Sequence, residues 1–95
     1  MINSNIVSEI AKIIQHDTQS DYYIGIATNI KQRLFGDHNV SELFGTYAYF
    51  KANSEQEARD TECFLLKNTQ CCGGTGGGKC PTYVYVYKKT LHTVQ

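Results

Sequence analysis

The chain has 95 residues, 41% of them hydrophobic, 19% charged and only one a proline. That length makes one domain burying about two-thirds of the surface its unfolded form exposes, and the composition excludes a disordered tail, a collagen-like repeat and a coiled coil. The 9 Lys+Arg cancel the 9 Asp+Glu, which argues against a long polyanion as partner, because basic side chains supply most nucleic-acid affinity.

No apolar run approaches the roughly 18–20 residues that cross a bilayer. Residues 1–4 carry no basic stretch ahead of an apolar one, so they do not read as a secretion signal. The chain is therefore expected to be cytoplasmic, off the membrane, with reduced thiols. The neutrality itself is uneven. Residues 1–62 hold five bases and all nine acids, whereas residues 63–95 hold Lys67, Lys79, Lys88 and Lys89 and no acid. Either the two ends attract each other, or the last third faces an anion.

Taken in order, Ile6, Ile10, Ile13 and Ile14 recur at helical spacing, and Asn3 or Ser4 can cap a helix over 4–15. Residues 16–20 form a polar break. Residues 22–27 are β-branched and aromatic, which predicts a strand. Thr28 can cap a helix from 29 to about 36, with Ile30 and Leu34 on its buried side and Gly36 at its end. A second strand follows over 46–51. Ser54 and Glu57 form a capping box that opens a helix to about residue 68, with Ala58, Thr61 and Leu65 on one face. Residues 71–80, rich in glycine and cysteine, read as a loop. Pro81 then opens a last strand over 82–88. The expected fold is a single α+β domain over residues 1–95. Its core would be a small three-stranded, mainly antiparallel sheet flanked by about three helices, with no repeat and no linker.

All seven tyrosines fall in the three strand segments. Tyr83, Tyr85 and Tyr87 share one face by the period of two, opposite Val84 and Val86. Tyr23 shares a face with Gly25, which has no side chain, so Tyr23 is expected to stand beside open space. Half-buried strands suit tyrosine in general, but a tyrosine row facing away from a valine row asks for more.

Gly73 to Lys79 formally fits the P-loop pattern. That motif must follow a strand and open a helix with Ser or Thr next; here a helix precedes it and Cys80-Pro81 follows, so an NTPase is excluded. A backbone so rich in glycine, with Gly76 near its centre and Lys79 at its end, either wraps an anion through its N–H groups or is a plain connector. The four cysteines, Cys63, Cys71, Cys72 and Cys80, show no C-x-x-C pair and no histidine at finger spacing, which argues against structural zinc. Cys63 reads as a core residue beside Phe64, and Cys71 or Cys72 could pair with Cys80 on oxidation.

Tyr23-Ile24-Gly25-Ile26-Ala27-Thr28-Asn29-Ile30-Lys31-Gln32-Arg33-Leu34, followed by His38-Asn39, resembles the second half of the GIY-YIG nuclease signature. There a strand ends in Tyr-Ile-Gly and a helix presents an arginine ten residues after the tyrosine, the spacing of Tyr23 and Arg33. Ala58 and Glu62 resemble the same family's helix, which bears an alanine and then a metal-holding glutamate. The resemblance spans about residues 22–67 and implies a small metal-dependent endonuclease acting on DNA. It makes Glu62 the ligand of one Mg²⁺ or Mn²⁺, Arg33 the phosphate clamp and Tyr23 the water-positioning phenol, and adds His38 to the catalytic set. The chemistry suits these residue types. A lone carboxylate can hold a largely hydrated cation on a phosphate, and an arginine fork fits paired phosphoryl oxygens.

Two departures stand out. The family's Gly-Ile-Tyr strand ahead of Tyr23 is missing, since residues 10–14 read as helix. His38 follows Arg33 by five residues rather than the four common in the family, which on an α-helix takes it off the arginine's face. A permuted arrangement would repair the first: the strand of Tyr83, Tyr85 and Tyr87 would take the missing strand's place, with Tyr85 as its tyrosine. A domain this small would act non-specifically, on a special structure or as a homodimer. The competing expectation is a non-catalytic module that binds a nucleotide or other phosphate ligand through tyrosines, Arg33, Gly76 and Lys79. A third is an interaction protein with a tyrosine-rich edge strand.

Overall fold

The computed structural model describes residues 1–15, 18–73 and 80–94. Gly76 and Lys79, the proposed anion cradle, lie outside the described residues.

The first helix, α1 (Ser4–Ile14), starts where the Asn3 side chain accepts the Ile6 N–H at 3.1 Å, and it buries Ile6, Ile10 and Ile14. A short 3₁₀ turn, Gln19–Asp21, leads into strand β1 (Tyr22–Ala27), which is buried along its whole length. The Asn29 side chain caps the next helix, accepting the Gln32 N–H at 3.2 Å. That helix turns π-helical over Gln32–Asp37 and runs through Gly36 instead of stopping there. Strand β2 (Tyr47–Lys51) follows, and then α2 (Glu55–Asn68). Ser54 Oγ accepts the Glu57 N–H at 3.1 Å, as a capping box requires. The Glu57 carboxylate reaches past Ser54 to the Asn53 N–H at 3.0 Å and also takes the Asn3 amide at 2.7 Å. One glutamate thus ties the starts of α1 and α2 together.

The sheet has four strands rather than three, in the order β2-β4-β1-β3. The added strand β3 (Cys72–Gly73) lies in the stretch expected to be all loop, and pairs parallel with Tyr23 and Ile24. Strand β4 (Tyr83–Lys88) lies between β1 and β2 and is antiparallel to both. Its tyrosines are therefore central and not an exposed edge.

Alternation sorts the side chains into two cores. Ile24, Ile26, Val84 and Val86 pack with the isoleucines of α1 and with Ala58 and Leu65 of α2. On the opposite face Tyr23, Ala27, Tyr85 and Tyr87 pack with Ile30, Leu34 and Val40. The tyrosine row faces away from the valines because the segment after β1 folds back and buries it. Cys63, expected in the core, is exposed: it lies off the Ala58–Thr61–Leu65 stripe, and Cys71 is buried instead. Among the described residues no helix is long and apolar enough to cross a membrane.

Asn3→Ala removes a helix cap and the amide bond to Glu57, and is expected to cost about 1–2 kcal/mol, read as a lowered urea midpoint at unchanged slope.

Candidate functional site

The site begins with a missing side chain. Gly25 is the register partner of Tyr85, and Tyr23 that of Tyr87. A Cβ at Gly25 would lie 2.6 Å from Tyr85 Cζ, so the Tyr85 phenol occupies the room a side chain would need. The open space expected beside Tyr23 is thus filled, by Tyr85. Tyr23 stacks on Tyr87 with ring centroids 5.2 Å apart and planes 26° apart, and on Tyr85 at 6.4 Å and 19°.

His38 lies among these rings, 5% exposed and 4.9 Å from Tyr23 by centroids. Its Nε2 is 2.8 Å from the Tyr85 hydroxyl and its Nδ1 3.0 Å from the Tyr87 hydroxyl. The five-residue spacing from Arg33 does not take it out of the site, because the His38 N–H donates to the Arg33 carbonyl at 2.9 Å. An i→i+5 bond marks a π-turn, which holds one residue more than an α-turn. The surplus residue is absorbed there. Asn39 then leaves the helix at φ 55°, a left-handed conformation that asparagine tolerates better than most residues.

Arg33 pairs through Nε with Asp37 Oδ2 at 3.5 Å. Its charge favours the ionised forms of Tyr23 and Tyr85, whereas that of Glu62 opposes them. Burial outweighs both influences. It raises Tyr23 above the ordinary phenol value, and raises Tyr85 and Tyr87 further, so all three keep their protons at neutral pH. Burial also pushes the Glu62 carboxyl up to about 7, against the pull of Arg59.

Of the residues named from the sequence, Tyr23, His38 and Tyr85 meet through ring contacts and a hydrogen bond, and Arg33 and Glu62 act on Tyr23 and Tyr85 through their charges. Tyr87 was missed, although the period of two places it on the face of Tyr85. So was Val94, whose carbonyl oxygen is 2.6 Å from His38 Nδ1; a backbone group leaves no mark on a sequence. Among the described residues no three His, Cys, Asp or Glu side chains are grouped so as to hold a metal ion. Comparison with family models, curated proteins and solved structures finds no match to this chain.

Two predictions follow from the packing and from Glu62. Gly25→Ala is expected to cost about 1–3 kcal/mol by overpacking. Gly36→Ala, whose Cβ would meet only Gln32 Cγ at 3.7 Å, is expected to be neutral or mildly stabilising; urea midpoints separate the two. The Glu62 carboxyl loses its proton near 7 in the folded chain but near the ordinary 4.5 when unfolded. Between those values the folded state binds more protons, so its stability falls as pH rises. Melting of the metal-free protein from pH 4.5 to 8 is therefore expected to show a decline that Glu62→Gln flattens.

Proposed function

We propose that the chain is a small metal-dependent endonuclease that hydrolyses phosphodiester bonds of DNA on a permuted GIY-YIG scaffold. The observation that carries this reading is the placement of β4 beside β1, which sets Tyr85 against Gly25. A tyrosine from the last strand thereby lies on the strand beside Tyr23, which supports the permuted reading with Tyr85 in the role of the missing motif's tyrosine. Tyr23 and His38 touch Tyr85, and the charges of Arg33 and Glu62 act on it.

The residues divide the work of phosphodiester cleavage. Glu62 suits a divalent cation, because burial disfavours its ionised form and a cation alongside would restore it. Mg²⁺ or Mn²⁺ bound there would neutralise phosphate charge and ease deprotonation of the attacking water. A guanidinium tethered through its inner nitrogen, as Arg33 is to Asp37, can offer its two outer nitrogens to paired non-bridging oxygens. Tyr23 orients the water. Tyr85, with its ionisation suppressed by burial, acts as a relay and not as a standing phenolate. It takes a proton from the water as its own passes to His38 Nε2, across the 2.8 Å contact. Zero net charge keeps the DNA contact local, so the enzyme acts non-specifically, on a special structure or as a homodimer.

The test is nicking of supercoiled plasmid in Mg²⁺ or Mn²⁺. Arg33→Ala and Glu62→Ala are each expected to slow it by about 10²–10³-fold. Variants as active as the parent would overturn the assignment. Nucleotide binding measured by calorimetry, with no turnover in either cation, would assign a phosphate-binding module instead.

A further inference from the structure

Residues 89–94 leave β4 and cross back over His38. They are held almost wholly by polar contacts. The Lys89 N–H donates to the Asp21 carbonyl at 2.7 Å, and the Thr90 N–H donates to Thr93 Oγ1 at 3.0 Å. The Asn39 amide donates to the His92 carbonyl at 2.9 Å, so the left-handed residue that ends the π-turn also grips this segment. Leu91 is fully exposed and Val94 is 56% exposed. Little apolar area holds the segment down.

Val94 meets His38 twice. Its N–H donates to the His38 carbonyl at 2.7 Å, and its carbonyl stands 2.6 Å from His38 Nδ1. A carbonyl oxygen only accepts, so Nδ1 must carry the hydrogen. A neutral imidazole has one N–H, so Nε2 is left with its lone pair, facing the Tyr85 hydroxyl at 2.8 Å. Tyr87 fits the same assignment. Its oxygen is 3.0 Å from Nδ1 and its O–H donates to the Val94 carbonyl at 3.4 Å. The other tautomer would set an Nδ1 lone pair against the carbonyl oxygen.

We propose that residues 89–94 form a positioning strap, whose Val94 carbonyl fixes His38 as the Nδ1–H tautomer and so aims its basic Nε2 at Tyr85. The consequence for cleavage rests on the nuclease reading; the tautomer assignment does not. In the relay, the Tyr85 O–H bond breaks as an N–H bond forms at His38 Nε2. The positive charge this leaves on the ring is met at Nδ1–H by the Val94 carbonyl. A backbone carbonyl does here what a buried carboxylate does in other histidine relays, without adding to the negative charge of Glu62 that already acts on Tyr85.

The test joins long-range ¹H–¹⁵N spectra of the histidines with cleavage kinetics. His38→Gln assigns the signals among the three histidines. The parent protein is expected to show Nδ1 protonated and Nε2 bare. Val94→Pro removes the N–H that anchors the strap, and Asn39→Gly removes the grip on His92 while keeping the left-handed turn. Both are expected to mix the tautomers and to lower kcat about 10- to 100-fold at little change in KM. Leu91→Ala is expected to match the parent in both readouts. A parent spectrum with Nε2 protonated overturns the tautomer assignment. Variants whose tautomers mix while kcat holds overturn the strap's part in cleavage. A parent that shows the expected tautomer but cuts no DNA leaves the assignment standing and removes the nuclease reading.

Discussion

The pairing of Gly25 with Tyr85 is the contact on which the rest of the molecule depends. A sheet face can bury a row of tyrosines only if the opposing strand yields volume, and β1 does so by omitting one side chain. With that room the Tyr85 phenol lies down across β1 instead of standing off the sheet. Its hydroxyl then falls within reach of His38. A Cβ at position 25 would collide with the phenol, which there also stacks with Tyr23. One glycine therefore shapes packing, hydrogen bonding and the candidate chemistry together.

The second constraint is the polar demand of a buried aromatic layer. Phenol and imidazole groups away from water need partners, and among the described residues no buried side-chain nitrogen or oxygen lacks one. His38 answers that demand for two tyrosines at once, and the π-turn brings it there. The irregularity in the helix is thus tied to the regularity of the sheet. The face covered by α1 and α2 is lined mainly by isoleucine, valine and leucine, with Tyr22 its one buried phenol among the described residues. The two faces of one sheet thus differ in emphasis, apolar area on one and directional bonds between rings on the other.

Much of this was legible in the residues. The alternation of Tyr83, Tyr85 and Tyr87 with Val84 and Val86 predicts both the strand and its two-faced burial, and Ser54 with Glu57 predicts the start of α2. The spacing from Tyr23 to Arg33 marks two members of the candidate site. Strand order was harder, because pairing is non-local and any of the three long strands could have been central. The π-turn has no sequence signature, so counting on an α-helix could not foresee the extra residue held in the turn before His38. Cys72–Gly73 is too short a strand to carry a periodic signal. The Val94 carbonyl was illegible in principle, since every residue has one.

The position of β4 in the sheet sets the order of events when the chain is made. The central strand is the last of the four to be synthesised, yet β1 and β2 hydrogen-bond to it and not to each other. A nascent chain that has reached the end of α2 can form its helices, but both long strands present unpaired edges. Closure of the sheet waits for residue 88 and then joins segments far apart in sequence, the kind of contact that slows folding. The tyrosine face that builds the candidate site is thus the last part to assemble, and a ribosome-bound fragment lacking β4 offers chaperones or neighbouring chains an open sheet to dock on.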